Sequence, residues 1–560
     1  MKLATALEID LAKSEFGATA MDASVKATVG KQPLELSVLA QRVRYRAAGG
    51  LEATRLEVKA KGTAATVALE DGRLIAPALA FDAASRRLSI GGLEASAKGK
   101  FDAHAFETAI AAPKLEVSET AASGQRASVK LKLASAVPQA LAGDFELALE
   151  GLAGNAREIA IEKLTLAADA RAGARRFVAA LGGPVAASLE KQTFSIARFA
   201  GDITLEDPAL PAKSLKLPLS ARLAIDGKAE RIDAGFSTRF DDTSAAAEFT
   251  ARGFAQPRIV FDASADRIDL DRYFPPPPPR PGNDSADPKD DPQVDLAALK
   301  TLNLSGQVKV GHLRARGLKA SNVDVGVRAA GGRLDLAPVN AQLYGGTLAA
   351  RASLAADGNR IGLDATLANV AVGALAKDLF DNDLLEGRGS VRLDVTAAGG
   401  TVGRLKRALA GSARLQLRDG AIKGINLAKS FREIKARTGG SQDMAQRANQ
   451  AEKTDFSELS ASFRIANGVA RNDDLAAKSP FLRLGGGGEI DIAGGSMNYL
   501  AKATVVATST GQEGKDLAQL KGLTVPVRLS GPFDNLRYKI EVGNMLADTA
   551  KAKVEAKVED

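Results

Sequence analysis

Apolar and polar residues alternate with period two over most of the chain, the mark of half-buried β-strands. Val129, Leu131 and Leu133 alternate with lysines, and Phe145, Leu147 and Leu149 alternate with Glu146, Ala148 and Glu150. Ile259, Phe261 and Ala263 share one face. Further along, Ala413, Leu415 and Leu417 alternate with Arg414, Gln416 and Arg418. Leu482 and Leu484 flank Arg483, and Ile490 and Ile492 flank Asp491. Near the end, Leu536, Tyr538, Ile540 and Val542 alternate with Arg537, Lys539 and Glu541.

Turn residues recur between these runs: Asp71-Gly72, Gly331-Gly332, Gly345-Gly346, Asp357-Gly358, Asp419-Gly420 and Gly494-Gly495. Such pairs supply the positive φ angles of tight hairpins. Strand, turn and strand in succession predict a mostly β fold: a long, curved antiparallel meander or groove, with a few short helices. Val372, Leu375 and Leu379 predict one helix; Leu427, Phe431 and Ile434 predict another, stopped by Gly439-Gly440. A more polar helix is expected over residues 441–453, making a helical insertion near 426–453.

Five consecutive prolines at 275–279, followed by RPGNDSADPKDDPQ, divide the chain. Polyproline lacks backbone donors, and the segment after it is too polar to pack, so residues 275–293 read as a linker. The expected organisation is a β-rich region over 1–274, the linker, a second β region over 294–543, and an amphipathic tail over 544–560.

Composition narrows the chemistry. Glycine numbers 54 and Tyr 5, with no Trp, among 560 residues, which suits many short strands better than a compact catalytic core. The 75 basic residues exceed the 67 acidic ones by only eight and are spread along the chain. There is neither a basic stripe nor interleaved aromatics, so nucleic acid is not an expected partner. The absence of Cys excludes disulfides, thiolate metal sites and Cys nucleophiles.

No catalytic constellation emerges. His104 and His312 are far apart, and the Gly485–Gly488 run leads into a strand without the Lys-Ser/Thr of a phosphate loop. Asp266, Asp269 and Asp271 lack the glycine turn and distal glutamate of a calcium loop, and read as solvated strand-edge charges. The expectation is therefore no enzyme activity, no catalytic or metal-binding residue and no cofactor. One physical hint remains. About thirty strands at ~4.8 Å spacing would extend on the order of 140 Å in one sheet, with few helices to cover its apolar face. Such a face would be open to acyl chains, or would close on itself in sandwiches or barrels with ordinary cores.

Residues 313–346, 411–427, 454–499 and 520–535 resemble, in that order, the C-terminal region of the AsmA family. The segment DRIDLDRYFPPPPP at 266–279 resembles that family's Asp-rich strand leading to a Tyr and prolines. The resemblance implies a non-enzymatic periplasmic protein, anchored in the inner membrane by an N-terminal helix and related to TamB-like repeating-β-groove proteins. It further implies a role in outer-membrane assembly and envelope homeostasis, with phospholipid or another envelope lipid as partner and possible inner- and outer-membrane protein partners. The start departs from that pattern. Glu8 and Asp10 interrupt any apolar run in MKLATALEID, so the expected anchor is missing from its pattern and the chain reads as truncated at its start, the alternative being an unanchored relative.

Alternation and the resemblance together place Leu415, Leu417, Ile422, Leu482, Leu484, Ile490, Ile492, Tyr538 and Ile540 on a lipid-binding apolar face. Aspartate at Leu417 and Leu484 is then expected to abolish lipid co-purification without unfolding the protein. The alternative is a scaffold that recruits outer-membrane assembly factors through its sheet edges, without lipid transport.

Overall fold

A computed structural model of the chain describes residues 2–29, 32–47, 49–64, 67–155, 157–273, 291–381, 384–430, 444–447, 449–506, 521–533 and 535–541. The expected antiparallel meander is present. The chain divides into two compact units, Met1–Ala263 and Ser264–Asp560.

In the first unit, strands such as Glu15–Val29, Gln32–Arg46, Gly50–Ala64 and Val67–Asp82 pair each with the next, always antiparallel. The pattern continues through Leu141–Gly154, Glu158–Ala172, Arg175–Ser188 and Thr193–Glu206 to Thr243–Arg252. Many of these strands reach 14–16 residues, more than twice the usual length. A strand that long does not stay regular, and some glycine pairs serve inside it. Asp71-Gly72 lies within Val67–Asp82, where the register against the next strand skips between Leu69 and Asp71. Asp419-Gly420 lies within Ala410–Gly424, with Asp419 at φ 46°. Both pairs were expected to be turns and lie inside strands instead: Asp71-Gly72 beside a bulge, and Asp419 with a positive φ that a strand irregularity accommodates as well as a hairpin does. Gly331-Gly332 and Gly494-Gly495 do make the expected turns.

The second unit continues the meander from Leu304–Ala315 to Ala410–Gly424 and adds the predicted helix Val372–Phe380. Leu375 of that helix is buried with Ala341, Leu343 and Val370 of the sheet. A polar clasp fixes it there. The Tyr344 hydroxyl donates to Asp378 Oδ2 at 2.7 Å, and Lys319 Nζ lies 3.2 Å from the same oxygen. The Tyr344 bond holds the Asp378 carboxyl below the usual carboxylate range, while burial and that carboxylate push Tyr344 up to about 12. The carboxylate's contribution is present above its ordinary pKa and lost as pH falls through the depressed value. The tyrosine's contribution is present below 10 and lost as pH rises towards 12. In urea denaturation, Tyr344→Phe is expected to lose about 1–2 kcal/mol at neutral pH. The alkaline loss of stability is expected to be smaller in that variant than in the parent.

Beyond Ala410–Gly424 the sheet turns on itself. Asn449–Ala466, Val469–Lys478, Leu482–Asp491, Ser496–Val505, Thr524–Pro532 and Arg537–Ile540 pair in succession. The last of these pairs on its other side with Met444–Arg447, which leads along the chain into Asn449–Ala466. The pairings thus return to the segment where they began, and this end of the sheet is a closed ring. Residues 444–447 and 449–453 are strand, not the polar helix expected over 441–453. Their partners explain the difference: Met444–Arg447 completes the ring, and Asn449 and Lys453 pair with Gly424 and Lys423. A helical turn at 427–430 carries Leu427 into the core, and residues 431–443 lie outside the described residues. So do residues 275–290 of the expected linker and the whole of the expected tail, 544–560.

The glycine run Gly485–Gly488 sits within Leu482–Asp491, where backbones approach closely. A Cβ on Gly488 would stand 2.4 Å from the Asn498 carbonyl oxygen and 2.6 Å from Tyr499 Cα. Beside it, the Tyr499 hydroxyl donates to Asn472 Oδ1, while Asn472 Nδ2 donates to the Ser462 carbonyl at 2.8 Å. Because the obstructing atoms are backbone, Gly488→Ala is expected to cost roughly 2–4 kcal/mol, read as a lower thermal midpoint.

Candidate apolar binding faces

Directly opposed residues on neighbouring strands share a face, so apolar surface can be followed from strand to strand. In the first unit, one such line runs Leu7, Ala18, Val43, Ala53, Leu79, Ile90 and Leu115. It continues through Gly124, Leu152, Ile161, Val185, Ile196, Leu223 and Ala234 to Phe249. A second line, two residues along each strand and therefore on the same face, runs Ile9, Phe16, Tyr45, Leu51, Phe81, Leu88 and Val117. It continues through Ala122, Gly154, Ile159, Ala187, Phe194, Ile225 and Ile232 to Ala251. No position in either line is charged. At ~4.8 Å per strand the pair of lines follows a path of roughly 65 Å, and the two lie ~7 Å apart.

A second apolar band crosses the same strands. It passes Val38, Val58, Leu74, Ala95, Ile110 and Val129, then Leu147, Leu166 and Leu181. Beside it, two residues along, stand Thr108, Leu131, Phe145, Ala168, Ala179 and Ile203. The residues between those two lines, among them Lys59, Arg73, Lys130, Glu146 and Asp202, face the other side. Irregular residues separate the two bands: Ala20, Arg55, Gly92 and Gly151 have positive φ, and the register skips between Ile161 and Leu164 and between Ile196 and Phe199. Bulges of this kind bend a strand and re-aim its side chains.

Little covers these bands. Among the described residues of Met1–Ala263 there is no helix. Tyr45, Phe81, Leu51 and Val129 are exposed, Phe81 at 41%. The Phe16 and Tyr45 rings stack across two strands, with centroids 6.5 Å apart. Other members of the bands, among them Ala53, Ala122, Leu181 and Val185, are buried, so the open apolar surface is the part carried by the exposed side chains, and contiguous exposed apolar surface marks an interaction site.

The residues picked from the sequence lie elsewhere, in the second unit, and in two clusters. Leu417, Leu482, Leu484, Tyr538 and Ile540 are buried at the ring, with Leu427, Phe456, Leu459, Val505, Val525 and Val527 around them; Leu415 and Ile422 pack against that cluster. Ile490 and Ile492 pack instead against Val395, Ile465 and Ala470. Leu417 is 2% exposed and Leu482 and Ile540 1% each, so the five buried members are core side chains here.

The other candidates have structural roles or none. Asp271, read as a solvated charge, accepts from the backbone N–H groups of Arg316 and Gly317 and so fixes the hairpin between Leu304–Ala315 and Leu318–Ala330. The turn it clasps lies 45 residues along the chain, so nothing local in the sequence signals that role. His104 stacks on Phe101 at 5.2 Å. Among the described residues no group of three or more His, Asp or Glu is placed to hold a metal ion, and no helix is long and apolar enough to cross a membrane.

Residues 279–475 match the AsmA family. A relative, Protein AsmA of Escherichia coli (strain K12), is 23% identical over 255 residues, covering 45% of this chain and 41% of that protein. Both matches support an AsmA-family assignment. The chain therefore spans less than half the length of the AsmA relative in that alignment. The family match includes Leu415, Leu417 and Ile422 and ends before Leu482. The apolar bands of Met1–Ala263 fall before its first residue.

Proposed function

We propose that this AsmA-family chain is a non-enzymatic, periplasmic envelope protein that holds phospholipid acyl chains along the apolar bands of Met1–Ala263, in the service of outer-membrane assembly. The carrying observation is the pair of uncharged lines from Leu7 to Phe249 and from Ile9 to Ala251, whose members Leu7, Ile9, Phe16, Tyr45, Leu51 and Phe81 are exposed. An acyl chain laid on such a surface gains ~0.8 kcal/mol for each CH₂ removed from water. The family assignment supports the envelope setting. The second unit, with its closed ring and buried leucines, supplies a stable end rather than the holding surface.

The test is native mass spectrometry, with lipid extraction, of the full chain purified from a bacterial envelope in mild detergent. Stoichiometric phospholipid in the parent, lost on Leu51→Asp with Phe81→Asp, is the expected result. A folded, lipid-free parent that retains envelope proteins overturns the lipid reading in favour of a protein-binding scaffold.

A further inference from the structure

On one face of the second unit, opposed basic residues stand without carboxylate partners. Elsewhere, opposed basic residues such as Arg171 and Arg176 or Lys59 and Arg73 have carboxylates at hand, Asp169 for Arg176 and Glu57 for Arg73, each at 2.7 Å. On strands Arg388–Ala398 and Ala410–Gly424, Arg388 stands directly opposite Arg418, and Arg392 directly opposite Arg414. All four are exposed and share one face, the even steps of each strand. Like charges directly opposed destabilise a sheet. Ser390 and Gln416 stand opposite each other between the two arginine pairs.

The cationic row continues across the sheet as Arg388, Arg418, Glu458, Lys478 and Arg483. Its only carboxylate, Glu458, is taken up by Lys478 at 2.7 Å. Lys478 holds that carboxyl below the usual range, helped by the more distant charges of Arg418 and Arg483. Beside this row lies a hollow of about 860 Å³, lined also by Ser390, Gln416 and Ser460. The alternate residues of the same strands, Leu417, Leu459, Ala477 and Leu484, are buried in the core, so the charged row lies on the opposite side from it.

Two of the arginines are held in place. Arg388 Nη1 donates to the carbonyls of Gly345 at 3.1 Å and Asn369 at 3.0 Å. Arg483 Nη1 donates to Ser479 O at 2.7 Å and Leu482 O at 3.0 Å. Arg392, Arg414 and Arg418 have no hydrogen-bond or ion-pair partner among the described residues. Fixed and unspent guanidinium groups around neutral hydroxyl and amide donors are the chemistry that recognises phosphate.

We propose that this face binds a phosphoryl group, seated over Ser390 and Gln416 between the arginine pairs. The site is independent of the apolar bands, since it belongs to the other unit and to the face away from the core. A phosphoryl group can come from a soluble phosphate ester or from a phospholipid head group, and the two sources are separable.

The full chain is titrated calorimetrically with inorganic phosphate and with glycerol 3-phosphate. It is then floated with phosphatidylcholine vesicles with and without phosphatidic acid. Saturable binding of the soluble anions, weakened about tenfold or more in Arg414→Gln with Arg418→Gln, is the expected result. The same loss seen only with phosphatidic acid vesicles assigns the site to a head group and equally supports it. Arg333→Gln, an exposed arginine paired with Asp335 at 2.7 Å, serves as the control and is expected to bind like the parent. Anion binding that is absent throughout, or equal in all three proteins at matched thermal midpoints, overturns the proposal.

Discussion

Leu417→Asp is expected to unfold the ring of the second unit. The side chain is 2% exposed and is surrounded by Leu459, Leu484, Tyr538 and other apolar groups of one cluster. Its directly opposed partners are Gly389 on one side and Leu459 on the other, and neither can accept or donate a hydrogen bond through its side chain. An aspartate there must either stay neutral or bury an unpaired charge, and both costs add to the lost leucine packing. Removing the leucine alone costs about 2–5 kcal/mol. The uncompensated polar group brings the total to the whole stability of an ordinary domain, roughly 5–15 kcal/mol. Circular dichroism and limited proteolysis read the result: loss of the cooperative transition of this unit, whatever lipid is present. A folded Leu417→Asp protein that has merely shed its lipid would instead return Leu417 to the holding surface anticipated from the sequence.

The second large effect is expected at the opposite kind of position. Leu51 is 37% and Phe81 41% exposed, and they are directly opposed on Gly50–Ala64 and Val67–Asp82. Aspartate at both leaves each carboxylate in water, so the fold is expected to lose little. A bound acyl chain fares differently. Crossing this line it would meet two charges about 5 Å apart, and each would have to be desolvated or avoided. With ~0.8 kcal/mol gained per CH₂, excluding even four methylenes from the line removes ~3 kcal/mol, more than a hundredfold in affinity. Lipid retained in proportion to the parent would show that the line is not the path.

The contrast between Leu417 and Phe81 shows what could be read from the sequence. Period-two alternation revealed strands in both places, and the helix at Val372–Phe380 was legible from the spacing of Val372, Leu375 and Leu379. Alternation says which residues share a face, but it is silent on whether anything covers that face. That depends on pairings between distant segments. Nothing in SQDMAQR indicates that Met444 pairs with Ile540, and that pairing turns Leu482 and Leu484 inward. The same blindness hid the apolar bands of Met1–Ala263. Leu79 and Phe81 stand in a run of alanines with weak contrast, and only the register from Leu51 to Phe81 to Leu88 makes them part of a line. Asp-Gly pairs misled for a related reason. The same residue types serve hairpins and strand irregularities alike, and only the pairing of the whole strand tells them apart, as at the bulge beside Asp71-Gly72.

The closed ring also sets an order of events as the polypeptide acquires its structure. Nearly every other pairing joins neighbours in sequence, and such hairpins form in roughly 1–10 μs. The contact between Met444–Arg447 and Arg537–Ile540 cannot form until the strands between them are in place, so its loop entropy is overcome late. Until then the outer edge of Arg537–Ile540 has no partner, and a nascent molecule offers neighbouring copies a ready template at that edge. Closure withdraws the template, which makes the slow final step of assembly the same step that protects the finished protein from its own kind.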